Sequence, residues 1–445
     1  MTSHQLSIHN LATLSRSDRA ALMLRAESSI ATTIDKVMPI IEDVRQRGDE
    51  ALVHYAAAFD RASIRASDIK VTPEEFDEAE NQLDDAVKAA LSLAAENVRH
   101  FHRLQMPDGL QLHETAPGVI VGDRWTSIDS VACYVPRGKG SFPSSVLMTA
   151  IPAKVANVGR VIIITPPGPD GKVDAATLVA ARIAGVNEVY KCGGAQAIAA
   201  VAFGTATIPA CKKVVGPGSS WVAAAKKALA SVIDPGSPAG PSELIVFSDG
   251  SVPPELAALD LCVESEHGPD SSAYLVTTSE DYAREVAAHM PSLWQNMSEE
   301  RASYSQSVLC GSRGGIVIAQ TTVEAFDFIN DYAPEHLAVL AQDAWGYLPL
   351  IRNAGEILLG PHSAIAVANF VLGPSHVLPT GGAAATSSPL SVFDFMKRTS
   401  IASVGSSAFA NLAPYAESIA RYEGFDAHAN SISKQRFQWM NGLKP

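Results

Sequence analysis

Short β-rich runs alternate with alanine-rich helical stretches through most of this 445-residue chain. The run Arg160–Thr165 stops at Pro166-Pro167-Gly168 and is followed by a helical stretch at Ala175–Ala184. The alternation resumes after a Pro/Gly-rich joint at Asp234–Pro241. Strands that alternate with helices are typical of βαβ units and of a parallel sheet covered on both faces. The pattern therefore predicts an α/β protein with two Rossmann-like layers, one before and one after the joint.

The two ends of the chain have a different texture. Residues 1–115 read as mainly helical, because Ala31–Gln46 and Pro73–Gln105 carry apolar residues at helical spacing among many charges. The last segment, from about Ser375, begins with small and hydroxyl residues, and we expect it to end in helices. The prediction is an α/β core with helical N- and C-terminal segments.

Composition narrows the class of protein. Lys+Arg number 34 and Asp+Glu 47, so the formal net charge is −13, which argues against a surface that coats nucleic acid. The N-terminus lacks the pattern of a secretory signal, and no apolar run approaches the roughly 18–20 residues of a membrane span. The five cysteines are scattered without a CxxC pair, as expected for a reduced cytoplasmic protein. We expect a cytoplasmic protein without a nucleic-acid or membrane partner.

Two short patterns could carry chemistry. In Glu264-Ser265-Glu266-His267, residues three apart share one face of a helix, so Glu264 and His267 can point at one metal ion. Glu335-His336 places a carboxylate beside an imidazole, the usual general base near neutral pH. That pair suits two separate proton-transfer roles better than a dyad. Taken alone, both patterns are more typical of ordinary structural or surface residues.

Glycine-rich turns precede two predicted helices. Gly193-Gly194-Ala195-Gln196 and Gly216-Pro217-Gly218-Ser219-Ser220 each follow a strand and expose backbone N–H groups to an anion. Neither is a Walker A motif, and Trp221 stands where the dinucleotide fingerprint has its third glycine. Nucleotide binding and ordinary tight turns both stay open. Arg137 and Lys139 supply two cations to another turn, which suits phosphate recognition or a solvated loop.

Taken in order, these and further motifs resemble the histidinol dehydrogenase family over essentially the whole chain. The motifs that carry the resemblance are Tyr134-Val135-Pro136, Gly193-Gly194-Ala195-Gln196, Gly216-Pro217-Gly218, Ala239-Gly240-Pro241-Ser242-Glu243, Glu266-His267-Gly268-Pro269, Ala333-Pro334-Glu335-His336-Leu337, Gly373-Pro374-Ser375-His376-Val377-Leu378-Pro379-Thr380 and Ala427-His428.

The resemblance implies an intertwined homodimer with one zinc ion per subunit, whose last ligand comes from the partner chain. It implies NAD-dependent oxidation of a primary alcohol through an aldehyde to a carboxylate. His336 would take the alcohol proton, Glu335 would activate water to hydrate the aldehyde, and zinc would orient the substrate. The domains implied are a helical arm at 1–25, a first α/β domain at 26–133 and 244–374 with the catalytic and metal residues, a second Rossmann-like domain at 134–243 on the NAD side, and a helical tail at 375–445 that reaches the partner.

The positions that match the family's metal ligands are Glu264, His267, Asn369 and His428, where the family usually has Gln, His, Asp and His. A carboxylate has thus moved across the site, yet the ligand charge is unchanged and suits zinc. A further family glutamate is replaced by Ile365.

The matching substrate contacts are Ser242, Glu423 and His336. Tyr134 and Gln196 match the family's cofactor contacts, and Ser219 replaces an asparagine.

Three functions follow as alternatives. The first is oxidation of L-histidinol in histidine biosynthesis. The second is oxidation of another small polar or anionic alcohol, such as a sulfopropanediol-like compound, by a paralogue with an altered pocket. The third is a non-catalytic metal or ligand binder, against which the intact Glu335-His336 pair argues. The altered ligand set also leaves the identity of the divalent ion open.

Overall fold

The computed structural model describes residues 5–25, 30–137 and 140–440. The predicted cation Lys139 and the outer ends of the predicted arm and tail lie outside the described residues. The chain divides into two compact units, one of residues 1–106 and 128–395, the other of residues 107–127 and 396–445. Within the described residues, no helix combines the length and the apolar character that crossing a membrane requires.

The strands are numbered in chain order. They are β1 Ile8–Asn10, β2 Leu110–Ala116, β3 Val119–Ser127, β4 Ser130–Tyr134, β5 Arg160–Thr165, β6 Val189–Lys191, β7 Lys213–Val215, β8 Glu243–Ser248, β9 Ser272–Thr277, β10 Gly314–Ile318, β11 His336–Leu340, β12 Glu356–Leu359 and β13 Met396–Val404.

The helices are numbered in the same way. They are α1 Arg16–Leu22, α2 Ile30–Arg47, α3 Asp49–Phe59, α4 Pro73–Gln82, α5 Asp85–Leu104, α6 Pro143–Val155, α7 Ala175–Ile183, α8 Gly194–Phe203, α9 Ser220–Ala228, α10 Pro254–Ser265, α11 Glu280–Gln295, α12 Glu299–Leu309, α13 Thr322–Tyr332, α14 Ile365–Val367, α15 Ser406–Tyr422, α16 Asp426–Ser431 and α17 Lys434–Met440. A π-helical turn, Ala368–Leu372, continues α14.

A six-stranded parallel sheet forms one layer of the first unit, in the order β1-β10-β9-β8-β11-β12. Both faces of its central strands are buried. Leu244 and Val246 of β8 join the core on one face, with α10 and α11, whereas Ile245 and Phe247 join the core on the other face, with α13. Side chains alternate along a strand, so an unbroken apolar run is the pattern that two covered faces require. The predicted layer after the joint is confirmed.

A four-stranded parallel sheet in the order β6-β5-β4-β7 forms the other layer. One of its faces packs against apolar side chains of α2, α3, α8 and α9. The predicted domain division assigned residues 26–133 to the first α/β domain, whereas α2 and α3 contribute to the core of this second sheet. The division itself stays a prediction.

The N-terminal arm is only partly helical. Residues 8–10 form β1, an edge strand paired in parallel with β10, and α1 covers only Arg16–Leu22. Leu6, Leu11 and Leu22 are buried in the apolar cores on the two faces of the six-stranded sheet. The strand exists because β10 offers an open edge whose backbone groups need partners. That edge is not visible from residues 1–25 alone.

The second unit contains an antiparallel sheet in the order β13-β3-β2, together with α15, α16 and α17. Residues 1–115 were expected to be mainly helical, but their last residues are not, since β2 occupies Leu110–Ala116. Every residue of β2 is exposed, so it lacks the alternation of buried and exposed residues that marks a strand. Its partner β3 in turn pairs with β13, nearly 300 residues along the chain.

A substitution at Phe247 tests the apolar core between the six-stranded sheet and α13. The side chain is 1% exposed, and its ring centroid lies 4.6 Å from that of Phe326 and 4.9 Å from that of Tyr347. We expect Phe247→Ala to lower the free energy of unfolding by about 3–5 kcal/mol, since it removes the ring and leaves a cavity. Urea unfolding measures the change. Trp345→Ala, at a side chain that is 71% exposed, is the matched control and should cost far less; equal losses would contradict the assignment.

Candidate active site

The chemistry-bearing residues of the first unit meet at the amino edge of the six-stranded sheet. Glu335 precedes β11, His336 opens it and Glu356 opens the neighbouring β12. Helix α10 runs back from the carboxyl end of β8, so Glu264 near its C-terminus and His267 just beyond it reach the same edge. The two sequence patterns are thus parts of one site.

Glu264 lies at the centre of this site. Its side chain is buried, and Oε1 accepts a hydrogen bond from Asn369 Nδ2 at 3.0 Å. Oε1 also lies 3.8 Å from His336 Nε2, and Oε2 lies 3.4 Å from His267 Nδ1. Burial raises the pKa of Glu264, but the two histidines, with hydrogen bonds from Asn369 and Ser242, outweigh it and lower the pKa. The structure therefore brings together the three metal-ligand candidates of the first unit, with the substrate-contact candidate Ser242 beside them.

His336 is held between two carboxylates. Nδ1 lies 3.2 Å from Glu356 Oε2, and the Cα atoms of these residues are register partners in the β11–β12 pair. Nε2 faces Glu264. Burial lowers the pKa of the imidazole, but the charge of Glu264 and the hydrogen bond that the imidazole donates to Glu356 outweigh it and raise the pKa to about 9. A Glu356 carboxylate that accepts from Nδ1 leaves Nε2 as the nitrogen that exchanges protons with a ligand.

Glu335 has surroundings of its own. The residue is 8% exposed, and its Oε2 accepts a hydrogen bond from the backbone N–H of Glu243 at 2.8 Å. Burial raises the pKa of Glu335 well above its usual range, and the negative charge of Glu264 adds to this. A carboxyl with a raised pKa is suited to general acid–base work near neutral pH. The adjacent acid and imidazole thus make different contacts, as two separate roles require.

The donor set fits a metal ion. Asn369 Oδ1 is buried and has no hydrogen-bond partner within the described residues, while its Nδ2 is turned to Glu264. His267 Nδ1 lies 3.0 Å from the carbonyl oxygen of Val263, so that nitrogen carries the proton and Nε2 keeps its lone pair. One carboxylate, one imidazole and one amide oxygen are ligands that zinc accepts. In the described part of the chain, no group of three or more His, Cys, Asp and Glu residues is arranged to hold a metal.

Two residues near the site were not predicted as site residues. One is Glu356, described above. The other is His376, whose Nδ1 donates to the backbone oxygen of Asn369 at 2.7 Å and whose Nε2 lies 3.2 Å from Ser145 Oγ. Burial lowers the pKa of His376, which favours the neutral ring. His376 therefore fixes the backbone beside a ligand candidate.

Ile365 does not lie free in the site. It is fully buried and belongs to the apolar core shared with α10. The position therefore offers a ligand no charge and no hydrogen bond. A carboxylate lies instead at Glu356, whose Oε2 is 3.2 Å from His336 Nδ1.

The cofactor candidates lie at the carboxyl edge of the four-stranded sheet. Tyr134 ends β4, and its hydroxyl accepts the N–H of Gly194, which opens α8. Gln196 is buried, and its Oε1 has no hydrogen-bond partner within the described ranges. Ser219 precedes α9, and its hydroxyl makes no capping hydrogen bond. The carboxyl edge of parallel strands, with helix N-termini facing it, is where such sheets bind dinucleotides.

Glycine is required where this edge is most crowded. A Cβ on Gly216 would lie 2.2 Å from the backbone oxygen of Tyr134, and φ at Gly216 is +106°. The buried Lys226 donates to the carbonyl oxygen of Gly216 at 2.7 Å, and burial lowers the pKa of this amine to about 8. The hydrogen bond from Lys226 thus holds the backbone of this turn in place.

Arg137 is exposed, and its Nη1 donates to the carbonyl oxygen of Lys172.

The remaining candidates belong to the second unit. Glu423 follows α15, and His428 lies in α16 with its ring centroid 5.1 Å from that of Phe425. Both side chains are exposed. Their part in the metal and substrate sites stays a prediction.

Comparisons with known proteins agree with the family resemblance of the sequence motifs. A family model described as histidinol dehydrogenase matches residues 23–436. A protein of Colwellia psychrerythraea named histidinol dehydrogenase homolog is 53% identical over 433 residues, which cover 97% of each chain. The histidinol dehydrogenase of Synechocystis is 43% identical over 414 residues, covering 93% of this chain and 95% of the other. The crystal structure of histidinol dehydrogenase from Elizabethkingia anophelis superposes with a TM-score of 0.89 at 30% identity, over 99% of each chain. The chain therefore belongs to the histidinol dehydrogenase family, whose members are NAD-dependent oxidoreductases that act on CH–OH groups.

Proposed function

We propose that this protein oxidises L-histidinol to L-histidine with two molecules of NAD, through the aldehyde, as an enzyme of histidine biosynthesis. The observation that carries the proposal is the buried Glu335–His336 pair, whose members have separate partners and border one metal-ligand set. Per alcohol, two hydrides pass to NAD and one water supplies the second oxygen of the carboxylate.

His336 takes the proton of the alcohol in the first oxidation. The free Nε2 is the atom that accepts it, while Glu356 holds Nδ1 and steadies the ring as positive charge develops on it. The raised pKa of His336 reflects mainly the charge of Glu264, which works against burial. A cation bound to Glu264 would offset that charge, so that the imidazole would be neutral when it receives the proton.

Glu335 activates water in the second half of the reaction. Once the aldehyde has formed, the carboxylate takes a proton from water as the water adds to the carbonyl carbon. The hydrogen bond from the N–H of Glu243 holds one carboxylate oxygen, which leaves the other for water. The resulting hydrate gives its hydride to the second NAD and releases a hydroxyl proton, and the carboxylic acid that forms ionises to the carboxylate.

We propose one Zn²⁺ per subunit, held by Glu264, His267 and Asn369, with His428 supplied by the second copy of the chain in a homodimer. The orphaned Oδ1 of Asn369 supports this ligand set. When bound, zinc would hold the polar groups of the substrate in place. Ser242 and Glu423 are the further substrate contacts of the proposal.

We place NAD at the carboxyl edge of the four-stranded sheet, where Tyr134, Gln196 and Ser219 contact it. The buried, unpartnered Oε1 of Gln196 supports this placement, because it can accept a hydrogen bond from a carboxamide or a ribose hydroxyl. The hydroxyl of Ser219 can make the contact that an asparagine makes elsewhere in the family.

The deciding experiment counts NADH formed per L-histidinol consumed by the zinc-loaded protein. We expect two NADH per L-histidinol, with L-histidine as the product. One NADH with accumulated aldehyde would contradict the second step. No NADH from a zinc-replete protein that still binds NAD would overturn L-histidinol as the substrate.

The metal assignment predicts a specific loss of zinc. Glu264→Ala removes the one carboxylate of the ligand set, so we expect zinc affinity to fall by at least about 100-fold, since even partners outside the ligand set are worth about 10–100-fold. Atomic absorption after dialysis measures the bound zinc. Glu266→Ala, two residues along the chain, is the matched control and should keep its zinc. Normal zinc in Glu264→Ala would remove this residue from the ligand set.

A further inference from the structure

Arg25, just beyond α1, makes an unusually complete set of contacts close to Glu335. Its Nε lies 2.8 Å from Glu243 Oε1, and the two side chains are 10% and 4% exposed. Its guanidinium carbon lies 3.4 Å from the ring centroid of Tyr332, and its Nη2 donates to the backbone oxygen of that residue. Nη1 donates to the backbone oxygen of Met23 at 2.7 Å. The guanidinium is therefore held rigidly.

Glu243 connects this guanidinium to Glu335. It opens β8, and its backbone N–H donates to Glu335 Oε2 at 2.8 Å. Its own carboxyl accepts from Arg25 and, at 2.8 Å, from the N–H of Gly381. Glu243 thus holds Glu335 through its backbone N–H, and Arg25 in turn holds the side chain of Glu243.

Arg25 also contacts the segment that leads into Glu335. Helix α13 ends at Tyr332, and Ala333 follows in the left-handed region with φ +49°. Such a backbone is costly for a residue with a Cβ and persists where its surroundings hold it. This left-handed residue lies between two hydrogen-bonded positions. Arg25 donates to the carbonyl oxygen of Tyr332 before it, and the backbone N–H of Glu243 donates to the carboxyl of Glu335 after it. Both hold the carboxyl at one place.

We propose that Arg25 is a positioning residue for Glu335, acting through Glu243 and Tyr332, so that the N-terminal arm controls the water-activating half of the reaction. This inference rests on the role that the proposed function gives Glu335. Without the guanidinium, the buried carboxylate of Glu243 loses a bound cation next to another carboxyl, and the two repel one another. Glu335 then moves from the position in which it can activate water.

The role predicts an effect on one half-reaction. Arg25→Met should lower kcat with L-histidinal about 10-fold or more, as small misplacements of reacting groups do. A single turnover of the first hydride transfer from L-histidinol should change less than about 3-fold, because His336 and not Glu335 takes the proton in that step. NADH per L-histidinol should fall from two towards one, with free aldehyde detected. The KM for NAD should stay at the wild-type value.

Two further variants separate positioning from general support of the fold. Arg25→Lys keeps the charge but not the several contacts of the guanidinium, and should recover part of the aldehyde activity. Arg25→Met combined with Glu243→Gln removes both charges and should recover part of it, because no uncompensated carboxylate remains beside Glu335. Arg16→Met, at the exposed start of α1, is the matched control and should behave as the wild type.

Each outcome decides the matter. A full-activity Arg25→Met protein would overturn the inference. So would equal losses in both half-reactions without recovery in either further variant, since that is the result of a purely structural residue. A wild-type protein that makes no NADH from either compound would overturn the proposed function itself, and with it the role of Glu335 assumed here.

Discussion

His336→Asn should lower kcat for L-histidinol oxidation by about 10²–10⁴-fold, the usual contribution of a general base. Asparagine keeps a polar side chain of similar reach but cannot accept the alcohol proton. Because His336 is not in the proposed ligand set, zinc content and the affinity for NAD should stay near those of the wild type. Initial rates of NADH formation, with zinc measured on the same sample, test both statements.

His289→Asn is the matched control for that substitution. His289 lies on α11, its side chain is 38% exposed, and it contacts the surface residue Glu255. We expect wild-type turnover from this variant. Substantial turnover in His336→Asn would mean that another group takes the proton.

Glu335→Gln should separate the two oxidations. The amide can keep the hydrogen bond from the N–H of Glu243 through its oxygen, but it cannot take a proton from water. We therefore expect the oxidation of L-histidinal to fall by about 10²–10⁴-fold. The first hydride transfer should persist, so NADH per L-histidinol should approach one. Stopped-flow absorbance of NADH, together with chemical trapping of the aldehyde, measures both.

Glu299→Gln, at the first turn of α12, serves as the control and should give two NADH per alcohol. If Glu335→Gln still gave two NADH at the wild-type rate, Glu335 would not be the residue that activates water. If it lost both half-reactions equally, its role would be to support His336 and not to act on water.

Part of the site follows from local spacing. Glu264 and His267 are three residues apart near a helix end, so the helix itself brings them to one face. Glu335 and His336 are adjacent, and their different environments follow from the start of a strand, where successive side chains point to opposite sides. The local geometry of one helix turn and of one strand start fixes both arrangements, so both can be predicted from the spacing of the residues.

Other members of the site depend on strand order. Glu356 reaches His336 because β12 pairs with β11 in one particular register. The sequence does not say which strand lies beside β11 or at what offset. His376 was within a recognised motif, and its bond to the backbone of Asn369 arises only when the loop after the π-helical turn folds back. The hydrogen bond from Arg25 to Glu243 joins residues that are 218 positions apart, so no short sequence pattern indicates it.

By itself, the sequence determined the α/β class and the two parallel layers, which rest on short-range periodicity and turn chemistry within one element. The assignment of ligand and proton-transfer candidates came from the resemblance of the ordered motifs to the family. Tertiary structure alone decided that β1 and β13 join sheets and that α2 and α3 cover the four-stranded sheet. It also decided that Glu356 contacts His336, that His376 contacts Asn369 and that Arg25 contacts Glu243. The physical reason is that strand pairing and buried charge pairs depend on which surfaces meet, and that choice is made by the free energy of the whole fold.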